Sequence, residues 1–176
     1  MEYLTLYPKY LDKKIDKLVK KVFKKEDSLS LKPFNLPVEF RDQSHIELFT
    51  ITKDSTKRGF VAVTLANGCE EGGCSAADLG EDNEFTDKYE QYYFATVFDV
   101  KGKILRVKVI EYDSDYGYEI MSRGWLKQFT SSKNDEFIYG KNIDAIAGAT
   151  VTGESIVSEV NILRMIMGSV SQELTP

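Results

Sequence analysis

The chain has one histidine, His45, among its 176 residues. A lone imidazole excludes a multi-histidine metal site, and the residues around it give no support to a Ser–His–Asp triad. There are two cysteines, Cys69 and Cys74. That is too few for a disulfide framework and too few for an all-cysteine metal site. No GxGxxG string occurs, and no GxxxxGK followed by Ser or Thr. The usual dinucleotide and nucleoside-triphosphate sites therefore lack their signatures. No apolar run approaches membrane-spanning length. The opening residues, "MEYLTLYPKYLDKKIDK", lack the apolar core of a signal peptide. Taken literally this reads as cytoplasmic; an exported protein without its leader reads the same way.

What is present is a globular composition. Hydrophobic residues make up 42% and charged residues 29%, which excludes a disordered chain. The length fits one domain able to bury a sizeable core without disulfides or metals. The net charge of −5 is unevenly spread. Residues 1–33 hold nine Lys and five acidic residues, so +4; the remainder holds 14 basic and 23 acidic, so −9. An acidic body argues against nucleic acid as a partner. The basic arm suits either an anionic membrane or acidic partner, or the solvated face of a helix.

Periodicity gives the elements. Residues 8–25 predict an amphipathic helix, with Leu11, Ile15, Leu18, Val19, Val22 and Phe23 on one face and lysines on the other. Pro33 and Pro37 in "LSLKPFNLP" end it. "IELFTITK" and "GFVAVTLAN" read as strands joined through "DSTKRG". Gly68 to Asp87 reads as a long acidic loop. "QYYFATVFD" and "ILRVKVIEY" flank "VKGK" as a hairpin. "YGYEIMSRGWLKQF" looks helical from Tyr118, with Gly124 as a weak spot, and residues 153–168 predict a final helix. The expected fold is a single α+β domain: an antiparallel sheet with helices packing at both ends, and no βαβ alternation. Its parts are an N-terminal helix and linker, residues 1–40, and a body, residues 41–176.

Cys69 and Cys74 enclose "EEGG", whose glycines allow a tight return and a short-range disulfide. A structural disulfide, idle thiols, a redox-active pair and a metal pair shared with another chain all stand open. Nearby acids (Glu70, Glu71, Asp78, Glu81) would raise a thiol pKa and lower its reactivity.

"IDAIAGATVTGESI", Ile143 to Ile156, holds more hydroxyls than a helix start needs. Thr152 suits an N-cap and Glu154 the first turn of a helix. Ala147, Gly148 and Ala149 let a ligand approach the backbone, beside a helix N-terminus able to receive a phosphate. "DAIAGAT" resembles the flavinylation motif of the FMN-binding domain family, which includes flavin subunits of sodium-pumping quinone reductases and Rnf-type electron-transport complexes. The resemblance is tightest over residues 144–152. It extends more loosely from about residue 92 through the last helix, including the turn "YGYEI" after a strand; "SRGWLKQF" and, outside that stretch, the "CEEGGC" loop also resemble bacterial members of the family.

The resemblance implies FMN as cofactor, joined through its phosphate to Thr150 by an FAD:protein FMN transferase that reads Asp144. Gly148, Ala149 and Thr152 would complete the attachment loop. Glu119 would contact the ribityl chain. Trp125 is placed to border the ring, or to serve as a half-buried anchor; Ser122, Arg123 and Lys127 are placed to bond flavin or phosphate. Ala147 stands where the family often has Ser. The His-x-Glu-Thr-Pro-Gly turn of the quinone-reductase subunits is absent, its nearest counterpart being "DSDYGYEI". The expected function is electron relay between redox partner proteins, not catalysis on a dedicated small substrate. The alternative is a binding module in a membrane-associated assembly, holding FMN non-covalently or lacking it. The expected location is periplasmic or membrane-associated outside the cytoplasm, with a leader missing from this chain; a cytoplasmic location is the alternative.

Overall fold

The computed structural model of the chain describes residues 7–24, 28–70, 89–113, 117–131 and 136–173. Five antiparallel strands form one sheet in sequence order: β1 Ser30–Phe34, β2 Ile46–Lys53, β3 Thr56–Glu70, β4 Tyr89–Asp99 and β5 Ile104–Glu111. Before the sheet comes α1, Asp12–Val22; after it come the short helices α2, Arg123–Leu126, and α3, Gln128–Ser131, and the long helix α4, Thr150–Glu173. This is the expected α+β architecture, with helices at both ends of the chain.

The sheet is buried on both faces because its central strands carry apolar residues at odd and even positions. Val61 and Val63 of β3 join Ala95 and Val97 of β4 against Ile15, Leu18 and Val19 of α1. Phe60, Ala62 and Ala66 of β3 turn the other way, with Phe94 and Phe98 of β4, toward Ile156, Val160, Leu163 and Met167 of α4. Continuous apolar runs on doubly covered strands follow from this packing. The β2–β3 turn is made by Asp54 and Ser55, both at positive φ. The β4–β5 turn is held by the Asp99 carboxylate, which accepts the Lys101 and Lys103 amides.

Three expectations change. The stretch expected only to end the first helix contains β1, which pairs with β2. Pro33 lies within it, and an edge strand tolerates a residue with no N–H to donate. The N-terminal arm of residues 1–40 therefore adds a helix and a strand to the body's sheet. β3 runs on through Gly68 and Cys69 to Glu70, beyond an irregularity after Asn67; residues expected to start a loop extend the strand. The rest of that expected loop, residues 71–87, lies outside the described residues. The helix expected from Tyr118 is a 3-10 turn, Tyr118–Met121, followed by α2 and α3. Gly124 sits inside α2; the breaks fall at Ser122 and Lys127.

An aromatic chain joins α2 and α3 to the segment that leads into α4. Trp125 meets Phe129 edge-on at 5.4 Å, and Phe129 meets Phe137 edge-on at 5.2 Å. Asn161 of α4 accepts the Phe137 amide at 2.9 Å and donates to its carbonyl at 2.8 Å. The middle of α4 thus fixes the chain that returns to its own N-terminus.

Candidate functional site

α4 begins at Thr150. Its first helical hydrogen bond is from the Gly153 amide to the Ala149 carbonyl, 2.9 Å. The amides of Thr150, Val151 and Thr152 precede that bond and have no partner within the helix. They point from the positive end of a 24-residue dipole. Ala149 occupies the cap position and has no side-chain acceptor. Thr152, expected as the cap, lies inside the helix and is fully buried. Its hydroxyl donates instead to the Cys69 sulfur at 3.3 Å. That sulfur is in a disulfide and carries no proton to give.

The loop entering α4 alternates pins and exposed residues. Ile143, Ile146 and Ala149 are buried, while Asp144, Ala145, Ala147 and Gly148 are exposed. The backbone is held from three directions. The Trp125 indole N–H donates to the Asp144 carbonyl at 2.7 Å, and the Asp144 amide donates to Gln128 Oε1 at 2.9 Å. The Ile146 amide donates to the Tyr139 hydroxyl at 2.6 Å. The Tyr139 ring lies on Gly153, where a Cβ would meet it at 2.4 Å. Burial raises the pKa of this phenol, which keeps its hydroxyl in the neutral, donating form.

The turn after β5 closes the site from a fourth side. Gly117 has φ +70, and a Cβ there would come within 2.7 Å of the Ala149 Cβ. Only glycine permits both the turn and this approach. The Tyr92 hydroxyl reaches the Thr152 carbonyl at 3.2 Å, and burial pushes the Tyr92 pKa well above the ordinary phenol value. Gly148 has φ +76 and faces open space, with nothing within 4 Å of a Cβ built on it.

Thr150, half-buried, therefore follows an open glycine and heads three amides, its own included, that have no partner within the helix. This donor set fits a phosphate. Asp144 is brought to the same loop with its carboxylate exposed. Trp125 braces the loop from below: it is 8% exposed and its N–H is committed. Ser122 and Glu119 are exposed on and beside the 3-10 turn, and no hydrogen bond among the described residues joins them to the loop. Cys69 is disulfide-bonded; Cys74 lies outside the described residues. No group of three His, Cys, Asp or Glu among the described residues is placed to hold a metal ion.

The FMN-binding domain family model matches residues 89–163. Over these residues, under half of the chain, the sequence is similar to an FMN-binding domain. The likeness indicates FMN as the cofactor and suggests a flavin-binding protein. No curated protein matches the chain. The FMN-binding stretch contains the α4 N-terminus, the Gly117 turn, Trp125 and Tyr139. It excludes β3, whose end lies against Thr152.

Sequence reasoning did not reach Gln128, Tyr139, Tyr92 or the Gly117–Ala149 approach as parts of the site. Gly117 was visible as a glycine after a strand. The others bear no local signal, since each acts on backbone far along the chain.

Proposed function

We propose that FMN is joined through its phosphate to Thr150 and that the protein relays electrons between redox partner proteins. The observation that supports attachment is the position of Thr150: the first residue of α4, beside the open Gly148, with the dipole behind it. The helix amides would hold the phosphate, and the exposed loop from Asp144 to Gly148 would be what an FAD:protein FMN transferase reads. FMN when bound supplies the redox chemistry; the chain supplies position and a surface that partners can reach. The support for relay over catalysis is that the attachment loop is open, so electrons can pass at the surface.

The disulfide at Cys69 supports an oxidising compartment, periplasmic or otherwise outside the cytoplasm. No helix among the described residues is long and apolar enough to cross a membrane. Membrane association would act through a partner or through the basic face of α1.

The test is coexpression with an active transferase, followed by mass spectrometry of the peptide holding Thr150. The expected result is an FMN adduct on Thr150 that disappears in Thr150→Ala. An unmodified Thr150 peptide, with a known substrate of the same transferase loaded in parallel, would overturn covalent attachment. Retention of stoichiometric flavin in Thr150→Ala would favour non-covalent holding.

A further inference from the structure

Among the described residues β5 pairs with β4 alone, and no second strand lies along its other edge. A groove of about 530 Å³ follows that edge, between β5 and α2. Its floor is apolar, formed by Leu105, Val107 and the exposed Met121. Its rim is cationic: Arg106 and Lys108 come from β5, and Arg123 and Lys127 come from α2 and the residue after it.

The two pairs of cations lie on opposite sides of the edge. Val107 and Val109 face α4 and Ile110 faces α1. Alternation therefore puts Arg106 and Lys108 on the α1 face. There the basic face of α1 adds to them. The Lys108 pKa is lowered first by burial and then by Lys17, Lys21, Arg106 and Lys14, all positive. A protein of net charge −5 thus carries Arg106 and Lys108 along this strand, whose one acid, Glu111 at its end, is paired with Lys14 at 3.8 Å.

Three kinds of occupant can be compared. A second copy of β5 would bring the same cations and be repelled, as charged edge strands commonly arrange. A lipid surface would use the charge but neither the groove nor the strand edge. An extended acidic segment uses all three: backbone groups for the edge, carboxylates for both rims, and apolar contact with the floor. We infer that the open edge of β5 binds an acidic, extended segment of a partner protein as a sixth strand. This does not rest on the flavin reading.

The probe is a fluorescent, Asp- and Glu-rich peptide of eight residues, the length of β5, titrated against the full chain. Binding is expected to weaken with salt and to slow amide hydrogen exchange over residues 104–111. Arg106→Glu combined with Lys127→Glu should weaken it at least tenfold. Lys32→Glu with Arg41→Glu makes the same charge change near the opposite edge and should leave it intact. Methylating alternate peptide nitrogens on the pairing edge should abolish the exchange protection. The inference is overturned if both double variants weaken binding equally, or if the methylated peptide binds as well as the parent. It is also overturned if phosphatidylserine vesicles displace the peptide from the same residues. Circular dichroism on each variant separates loss of binding from loss of fold.

Discussion

Thr152 donates its hydroxyl to the sulfur of Cys69 across 3.3 Å of buried core. The two residues are 83 positions apart, and they tie the end of β3 to the first turn of α4. A threonine two places after the proposed attachment point is thereby fixed from beneath. Thr152→Val keeps the shape and removes the donor. It is expected to cost about 1 kcal/mol, measured as a shift in the urea midpoint at unchanged slope. An unchanged midpoint would show that the sulfur contact contributes nothing.

Trp125 holds the Asp144 carbonyl through its indole N–H. Trp125→Phe retains an aromatic edge for Phe129 but leaves that carbonyl without its donor. A loss of about 1–2 kcal/mol is expected, read by circular dichroism because Trp125 is the only tryptophan. Transferase-dependent FMN loading of the folded variant should also slow. Loading at the parental rate would separate Trp125 from the attachment loop.

Gly117→Ala meets two obstacles, a positive φ and the Ala149 Cβ at 2.7 Å. The expected cost is about 1–3 kcal/mol. Ala149→Gly removes the steric part and leaves the dihedral part. In a double-mutant cycle the Gly117→Ala cost should therefore be smaller in the Ala149→Gly background, with a coupling of about 0.5 kcal/mol or more. Strict additivity would mean that the turn and the loop do not touch in solution.

The buried phenol of Tyr92 has a pKa raised by desolvation. In the unfolded chain a tyrosine ionises near pH 10. Below that pH both states are protonated and the stability contribution is intact. Above it the unfolded chain releases a proton that the folded chain retains, so stability falls as pH rises toward the folded value. Denaturation between about pH 9 and pH 11 should show this fall, and Tyr92→Phe should flatten it. Tyr7, raised by burial and by the Asp12 carboxylate, and Tyr139 and Tyr93, also raised by burial, keep part of the slope, so the variant reduces it without removing it. An identical slope in Tyr92→Phe would refute the burial argument.

Much of the sheet could be read from alternation. β2 matches its expected span, and the hairpin of β4 and β5 was visible because polar and apolar positions exchange regularly beside a glycine turn. β1 was hidden because proline usually argues against a strand, and only its place at an edge makes Pro33 acceptable. The loop before α4 stands out in the sequence because its small residues and hydroxyls exceed what capping needs. The start of α4 was placed three residues late, since Thr152 has the chemistry of a cap but the location of a core residue. Nothing local distinguishes those two uses of a hydroxyl. The braces from Gln128, Tyr139 and Tyr92 depend on tertiary approach, which spacing does not encode.

The FMN-binding stretch, residues 89–163, holds two of the five strands. Cut out alone, it would expose the flank of β4 that pairs with β3, and uncover Phe94 and Phe98 where Phe60 and Ala62 now lie. It would also end α4 before Ile166, Met167 and Val170 enter the core. The stretch that matches the family is thus shorter than the folding unit. Shortening the protein to the recognisable stretch should yield an aggregating fragment, whereas a chain that keeps α1 through α4 retains a closed interior.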